Sequence, residues 1–190
     1  MLLIDDIIRT LELPVAEGHR DSQVVARWKP PEAGWVKFNT DGPVDSDNRR
    51  GGVGIVARDH MGEVVCGRCS RYDGVMDLES VELLACRDAM LLAREKNIQQ
   101  VVIETDCQNI KTLWESNMGE RTVGVYILRE MRSLVRFFQG VQLRYVSRSA
   151  NRVAHSAAKE ALSSEFVINF TVTPGFLMDL VHAEKLSPIE

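Results

Sequence analysis

Four residues have types and positions that suit metal or acid–base chemistry. Asp41 and Asp106 each follow a short run, WVKFNT at 35–40 and VVIET at 101–105, that reads as a strand. Glu82 lies in a helical stretch, and its stripe holds Ala85, Cys86, Ala89 and Ala93. Its carboxylate therefore faces the sheet, where a buried acid needs a cation, a base or a metal. His155 shares a helix stripe with Asn151, Ala154, Ala158 and Leu162. Singly, each has a plainer role: an Asp before Gly caps a turn, a first-turn Glu favours the helix dipole, and a His on an apolar face packs in a core. Together they suggest more. If the strands ending at 41 and 106 lie side by side, the two carboxylates repel and one titrates upward unless a cation intervenes. With Glu82 above them, three oxygen donors describe a hard-cation site for Mg2+ or Mn2+, and His155 is the candidate fourth ligand.

The elements that must position these residues follow from periodicity. Residues 1–13 read as an amphipathic helix with Leu3, Ile4, Ile7, Ile8 and Leu11 on one stripe, and 14–27 as a linker. The domain opens at Trp28-Lys29-Pro30-Pro31, since paired prolines mark an extended entry. Three antiparallel strands are expected, at 35–40, 52–58 and 63–70, the last two joined by the turn Asp59-His60-Met61-Gly62. A helix over 78–96, a strand at 101–105, helices over 108–116 and 124–138, a strand at 141–146 and a helix over 150–162 with Ser149 as its cap complete the pattern. The order βββαβααβα predicts an α/β fold with a five-stranded mixed sheet flanked by helices. The tail, 166–190, is expected to pack on or near the domain.

Composition narrows the class. The chain has 190 residues, 45% hydrophobic and 26% charged, with 13 Gly and 6 Pro. That excludes wholesale disorder and collagen-like sequence and fits one domain with a flanking arm. No apolar run approaches the ~18 residues of a membrane span. Acids at 5, 6 and 12 break secretory and mitochondrial leader patterns, so an intracellular, soluble protein is expected; separately, a monomer is expected. Cys66-x-x-Cys69 lies in a strand-like run without a second Cys/His pair, so neither zinc nor redox use is expected. Net charge is −4, but residues 129–152 hold six Arg and one Glu, a local +5 suited to a phosphate backbone.

The residues TDG at 40–42, GVGIVARD at 52–59, VE at 81–82, ETD at 104–106 and NRVAH at 151–155, in this order, resemble the ribonuclease H family. The opening WKPPEAGWVKFNTDG is similar to that of its plant-type, retrotransposon-associated branch. The resemblance covers about 28–165. It implies the ribonuclease-H-like fold and two-metal cleavage of the RNA strand of RNA–DNA hybrids without sequence preference. Asp41, Glu82 and Asp106 match three of the family's four acids, and His155 falls on the fourth, which favours Mn2+ over Mg2+. Gly42, Gln108, Arg148, Asn151 and Arg152 are implied as nucleic-acid contacts. The loop Ser147–Asn151 lacks the mobile His of some relatives, and the long basic protrusion of some bacterial members is missing. A catalytically weak or inactive hybrid- or RNA-binding module is the alternative expectation.

Overall fold

The computed structural model describes residues 26–75, 77–115 and 123–185. The arm expected over 1–13 and most of the linker to 27 lie outside the described residues. The strands are β1 Val36–Asp41, β2 Val44–Asp45, β3 Arg50–Arg58, β4 Val64–Asp73, β5 Gln100–Thr105, β6 Gly140–Tyr145 and β7 Ile168–Phe170. The helices are α1 Leu78–Glu95, α2 Gln108–Glu115, α3 Val123–Leu134, α4 Arg152–Ser163 and α5 Gly175–Lys185.

The sheet order is β6-β5-β1-β3-β4-β7, with β2 beside β3. β1, β3 and β4 run antiparallel in sequence, while β5 and β6 add in parallel. This is the expected five-stranded sheet plus two short strands. β2 has two residues and β7 three, too few for a readable period. The helix expected over 124–138 stops at Leu134 and tightens into a 3-10 turn, Val135–Phe137.

Two cores sandwich the sheet. On one face Phe38, Val53, Ile55 and Ile103 pack against α1 and α3 through Leu83, Met90, Leu128 and Met131. On the other, Val56, Cys69 and Phe170 pack against α4 and α5 through Val153, Ala157, Leu177 and Val181. Cys66 and Cys69 fall into opposite cores, and burial pushes their thiols up to about 11 and about 12. They are apolar packing.

α1 starts where Asp77 accepts from the Ser80 N–H at 2.9 Å. α4 seats unusually close to the sheet, because a Cβ on Gly54 would stand 2.2 Å from Ala158 N and 2.5 Å from Ala154 O. Gly54 is the register partner of Asp41, so this close approach brings α4 directly over the first acid.

Candidate active site

Parallel pairing of β1 with β5 sets Thr40 beside Thr105, so both strands end at the same level. Asp41 ends β1 and Asp106 follows β5. Glu82 reaches the same point from the first turns of α1, on the opposite face of the sheet. Gly42 makes that possible. A Cβ there would lie 2.7 Å from Glu82 N and from Val81 C, so the chain leaving β1 rests on the helix backbone. The result is a group in which one oxygen each of Asp41, Glu82 and Asp106 lies within 4.8 Å of the others.

The electrostatics follow from this crowding. Burial foremost, then Asp41 and Asp106, push the Glu82 carboxyl up to about 8, against bonds from the Gly42 N–H and the Thr105 hydroxyl. The Thr105 hydroxyl donates to Glu82 Oε2 at 3.4 Å. Asp41 also titrates upward, chiefly through burial, with His155 opposing the shift.

His155 Nδ1 lies 2.8 Å from Asp41 Oδ2. An ionised carboxylate only accepts, so Nδ1–H is the donor there. The mutual 4.8 Å group thus contains the three carboxylates, and His155 joins it through Asp41. Asn151 is fully buried and spans the gap between strands: its Nδ2 donates to Thr40 O at 2.9 Å and to Asp106 Oδ1 at 3.3 Å. Arg148 Nε donates to Asp106 Oδ2 at 3.3 Å with the rest of its side chain in solvent.

The remaining expected contacts are more distant in role. Gln108 is exposed at the start of α2. Arg152 is exposed and lines a cavity of about 530 Å3 with Arg27, Trp28, Ser149 and Glu184. Ser149 is not the cap of α4. Residues Arg148–Ala150 form a 3-10 turn, Asn151 takes the cap position, and the Ser149 hydroxyl instead donates to Ala26 O at 2.7 Å. The turn leaves Asn151 free to face β1 and Asp106.

The basic stretch is less uniform than its charge suggests. Arg132 donates to the carbonyls of Leu113 and Trp114 at the end of α2. Arg136 stacks on Phe137 at 4.9 Å. Part of the +5 therefore holds α2 and the 3-10 turn in place.

Sequence reasoning missed Thr105, Gly54 and the polar residues Lys37, Asn39 and Glu104 beneath the acids. The signal was present: Lys37-x-Asn39-x-Asp41 and Glu104-x-Asp106 put these polar groups on the strand face that carries the site. Alternation alone assigns that face to solvent, whereas Asn39 is 0% and Glu104 4% exposed.

A model of the reverse transcriptase-like family matches residues 39–161. An Arabidopsis thaliana protein named "Putative ribonuclease H protein" is 27% identical over 160 residues, covering 84% of this chain and 26% of its own. The chain thus spans about a quarter of that curated relative. Among solved structures, RNase H1 of the halophilic archaeon Halobacterium salinarum superposes with a TM-score of 0.63 at 19% identity, over 68% of this chain and 98% of that one. The N-terminal RNase H domain of a Mycobacterium tuberculosis protein gives 0.62 at 14% identity, over 68% and 94%. LC11-RNase H1 in complex with an RNA/DNA hybrid gives 0.60 at 15%, over 67% and 96%. At these identities the likeness establishes the fold, which is ribonuclease-H-like. No described helix is long and apolar enough to cross a membrane.

Proposed function

This chain belongs to the reverse transcriptase-like family, as a plant-type ribonuclease-H-like domain, and on that premise we propose that it cleaves the RNA strand of RNA–DNA hybrids, endonucleolytically and without sequence preference, with divalent ions as cofactor. The observation that supports this most is the group of Asp41, Glu82 and Asp106 within 4.8 Å at the ends of two parallel strands.

The donors fit a hard cation. All three are carboxylates, and burial together with the neighbouring Asp41 and Asp106 pushes the Glu82 acid up to about 8, a cost that added positive charge would relieve. Asp41, Glu82 and Asp106 would hold the ions, two in the arrangement the family resemblance implies. When bound, such ions activate a water and stabilise the leaving oxygen of the scissile phosphate.

The chain's own residues prepare that site. The Gly42 N–H and the Thr105 hydroxyl aim the Glu82 carboxylate. Asn151 holds Asp106 against the end of β1. His155 orients Asp41 through Nδ1, which leaves the Nε2 lone pair as the atom able to ligate an ion. A neutral imidazole beside the ions favours Mn2+ over Mg2+. Arg148 is a proposed backbone-phosphate contact, which its 80% exposed side chain supports. Gly42, Gln108 and Arg152 are the further proposed contacts, and contacts confined to phosphates and 2′-hydroxyls leave the reaction sequence-independent.

A second reading is a binding module of the same fold with little turnover. The His155–Asp41 bond favours it, since it occupies an oxygen of the first acid with an imidazole in place of a metal ion. One assay separates the two: cleavage of a labelled hybrid in Mg2+ and in Mn2+, beside Asp41→Asn. Cleavage by the wild type that Asp41→Asn abolishes, with hybrid binding retained, supports the enzyme. Absence of products in both metals, with binding that weakens steeply as salt rises, selects the binding module.

A further inference from the structure

A second cluster of buried charges lies one step down the strands from the carboxylates. Strand periodicity places Lys37, Asn39 and Asp41 on one side of β1, opposite Arg58, Val56 and Gly54 of β3. Lys37 Nζ pairs with Glu104 Oε1 at 2.6 Å. Asn39 Nδ2 donates to Glu104 Oε2 at 3.0 Å. Arg58 Nη2 donates to Asn39 Oδ1 at 2.9 Å, and its Nη1 to Glu184 Oε2 of α5 at 2.5 Å. Trp28 covers the cluster, with Arg58 Cζ 3.6 Å from its ring centroid. Asn39 and Arg58 are 0% exposed. Two cations face two carboxylates, so the cluster is neutral as a unit.

Stability is a weak explanation for it, because apolar residues of equal volume do as well as a buried ion pair or better. Geometry is a stronger one. Asn39 and Glu104 are register partners in the parallel β1–β5 pair, and each sits two residues before an acid of the metal site. Their side-chain bond therefore links the two strands just below Asp41 and Asp106, where repulsion between carboxylates would otherwise splay the strand ends. Asn39 is held in turn by Arg58, and Arg58 by Glu184. α5 lies beyond the 39–161 of the family match, yet this chain of bonds runs from it to the site.

The geometry points to Asn39 and Glu104 as positioning residues for the Asp41–Asp106 pair, with Arg58 and Glu184 of the C-terminal helix as their support. The inference rests on the metal-dependent reading of the site, so its test reads metal binding and geometry apart from cleavage. The variants are Asn39→Ser, too short to reach Glu104, and Arg58→Met/Glu184→Met, which removes the support as a neutral pair. Tyr72→Phe is the control, since it deletes a bond to Asp88 at 2.6 Å that joins β4 to α1 and involves neither β1 nor β5.

Calorimetric titration with Mn2+ should show affinity falling ~10-fold in Asn39→Ser and less in the double variant, as for residues that orient metal ligands. Hybrid cleavage should lose kcat with KM unchanged. Tyr72→Phe should bind Mn2+ like the wild type at an equal loss of thermal stability. Wild-type Mn2+ affinity in either folded test variant overturns the proposal, as does an equal affinity loss in Tyr72→Phe. If the wild type takes up no Mn2+, the metal reading falls, and the crystal structure of either folded variant decides alone. A wider Asp41–Asp106 separation then supports positioning, and an unchanged one refutes it.

Discussion

Replacing Glu82 with Gln measures what burying this carboxylate beside Asp41 and Asp106 costs the fold. Burial and the neighbouring Asp41 and Asp106 move the Glu82 carboxyl from 4.5 to about 8. The unfolded chain releases that proton near the ordinary value. Between these two pH values the folded protein keeps a proton the unfolded chain has lost. Metal-free stability therefore falls as pH rises from 4.5 to about 8, and this group adds no slope on either side. At ~1.4 kcal/mol per pH unit, the shift sets a ceiling of about 5 kcal/mol. Asp41, also titrating upward, shares the repulsion, so the expected loss is on the order of 2 kcal/mol. Gln is neutral, nearly isosteric, and keeps an acceptor for Thr105 and the Gly42 N–H. In chelator above pH 8, Glu82→Gln should melt ~4–8 °C higher than the wild type. Near pH 4.5 the two should coincide. Mg2+ or Mn2+ should raise the wild type in alkaline buffer and affect the variant little. Thermal unfolding followed by circular dichroism across this pH range measures all of it. Parallel curves for the two proteins, with no divergence on raising pH, would refute the argument that burial and the neighbouring carboxylates hold a proton on Glu82.

His155→Asp adds an acid beside Asp41, and cleavage in Mg2+ relative to Mn2+ should rise ~10-fold or more, measured as initial rates on a labelled hybrid. Arg148→Gln removes an exposed phosphate contact, so the slope of log hybrid affinity against log salt should become shallower by ~1, read by fluorescence anisotropy. Gly54→Ala would place a methyl 2.2 Å from the Ala158 backbone nitrogen. It should cost about 2–3 kcal/mol in urea unfolding and weaken the His155–Asp41 contact.

Much of this molecule was legible in its residues. Asp41, Glu82, Asp106 and His155 were each marked by a polar side chain on an otherwise apolar stripe or at a strand end. The element order was readable over most of the chain, but β2 and β7 were too short to show a period, the eleven-residue α5 in the tail was not read as a helix, and α3 was drawn a turn too long. Local pattern reports on neighbours a few residues away, and it assigns each strand face to core or solvent by hydrophobicity alone. It therefore could not see that the polar face of β1 is sealed by Trp28, α4 and α5, because those elements come from remote parts of the chain. Nor could it show that Asn151 takes the cap position expected of Ser149 and turns its side chain to Thr40 and Asp106. The sequence by itself determined which side chains are available for chemistry and which strands and helices carry them. The tertiary structure decided that β1 and β5 pair in parallel at one level, that glycines let α1 and α4 close on them, and that three carboxylates meet within 4.8 Å. That convergence depends on contacts across 41 and 24 residues of chain between successive acids, and only the packed fold specifies them.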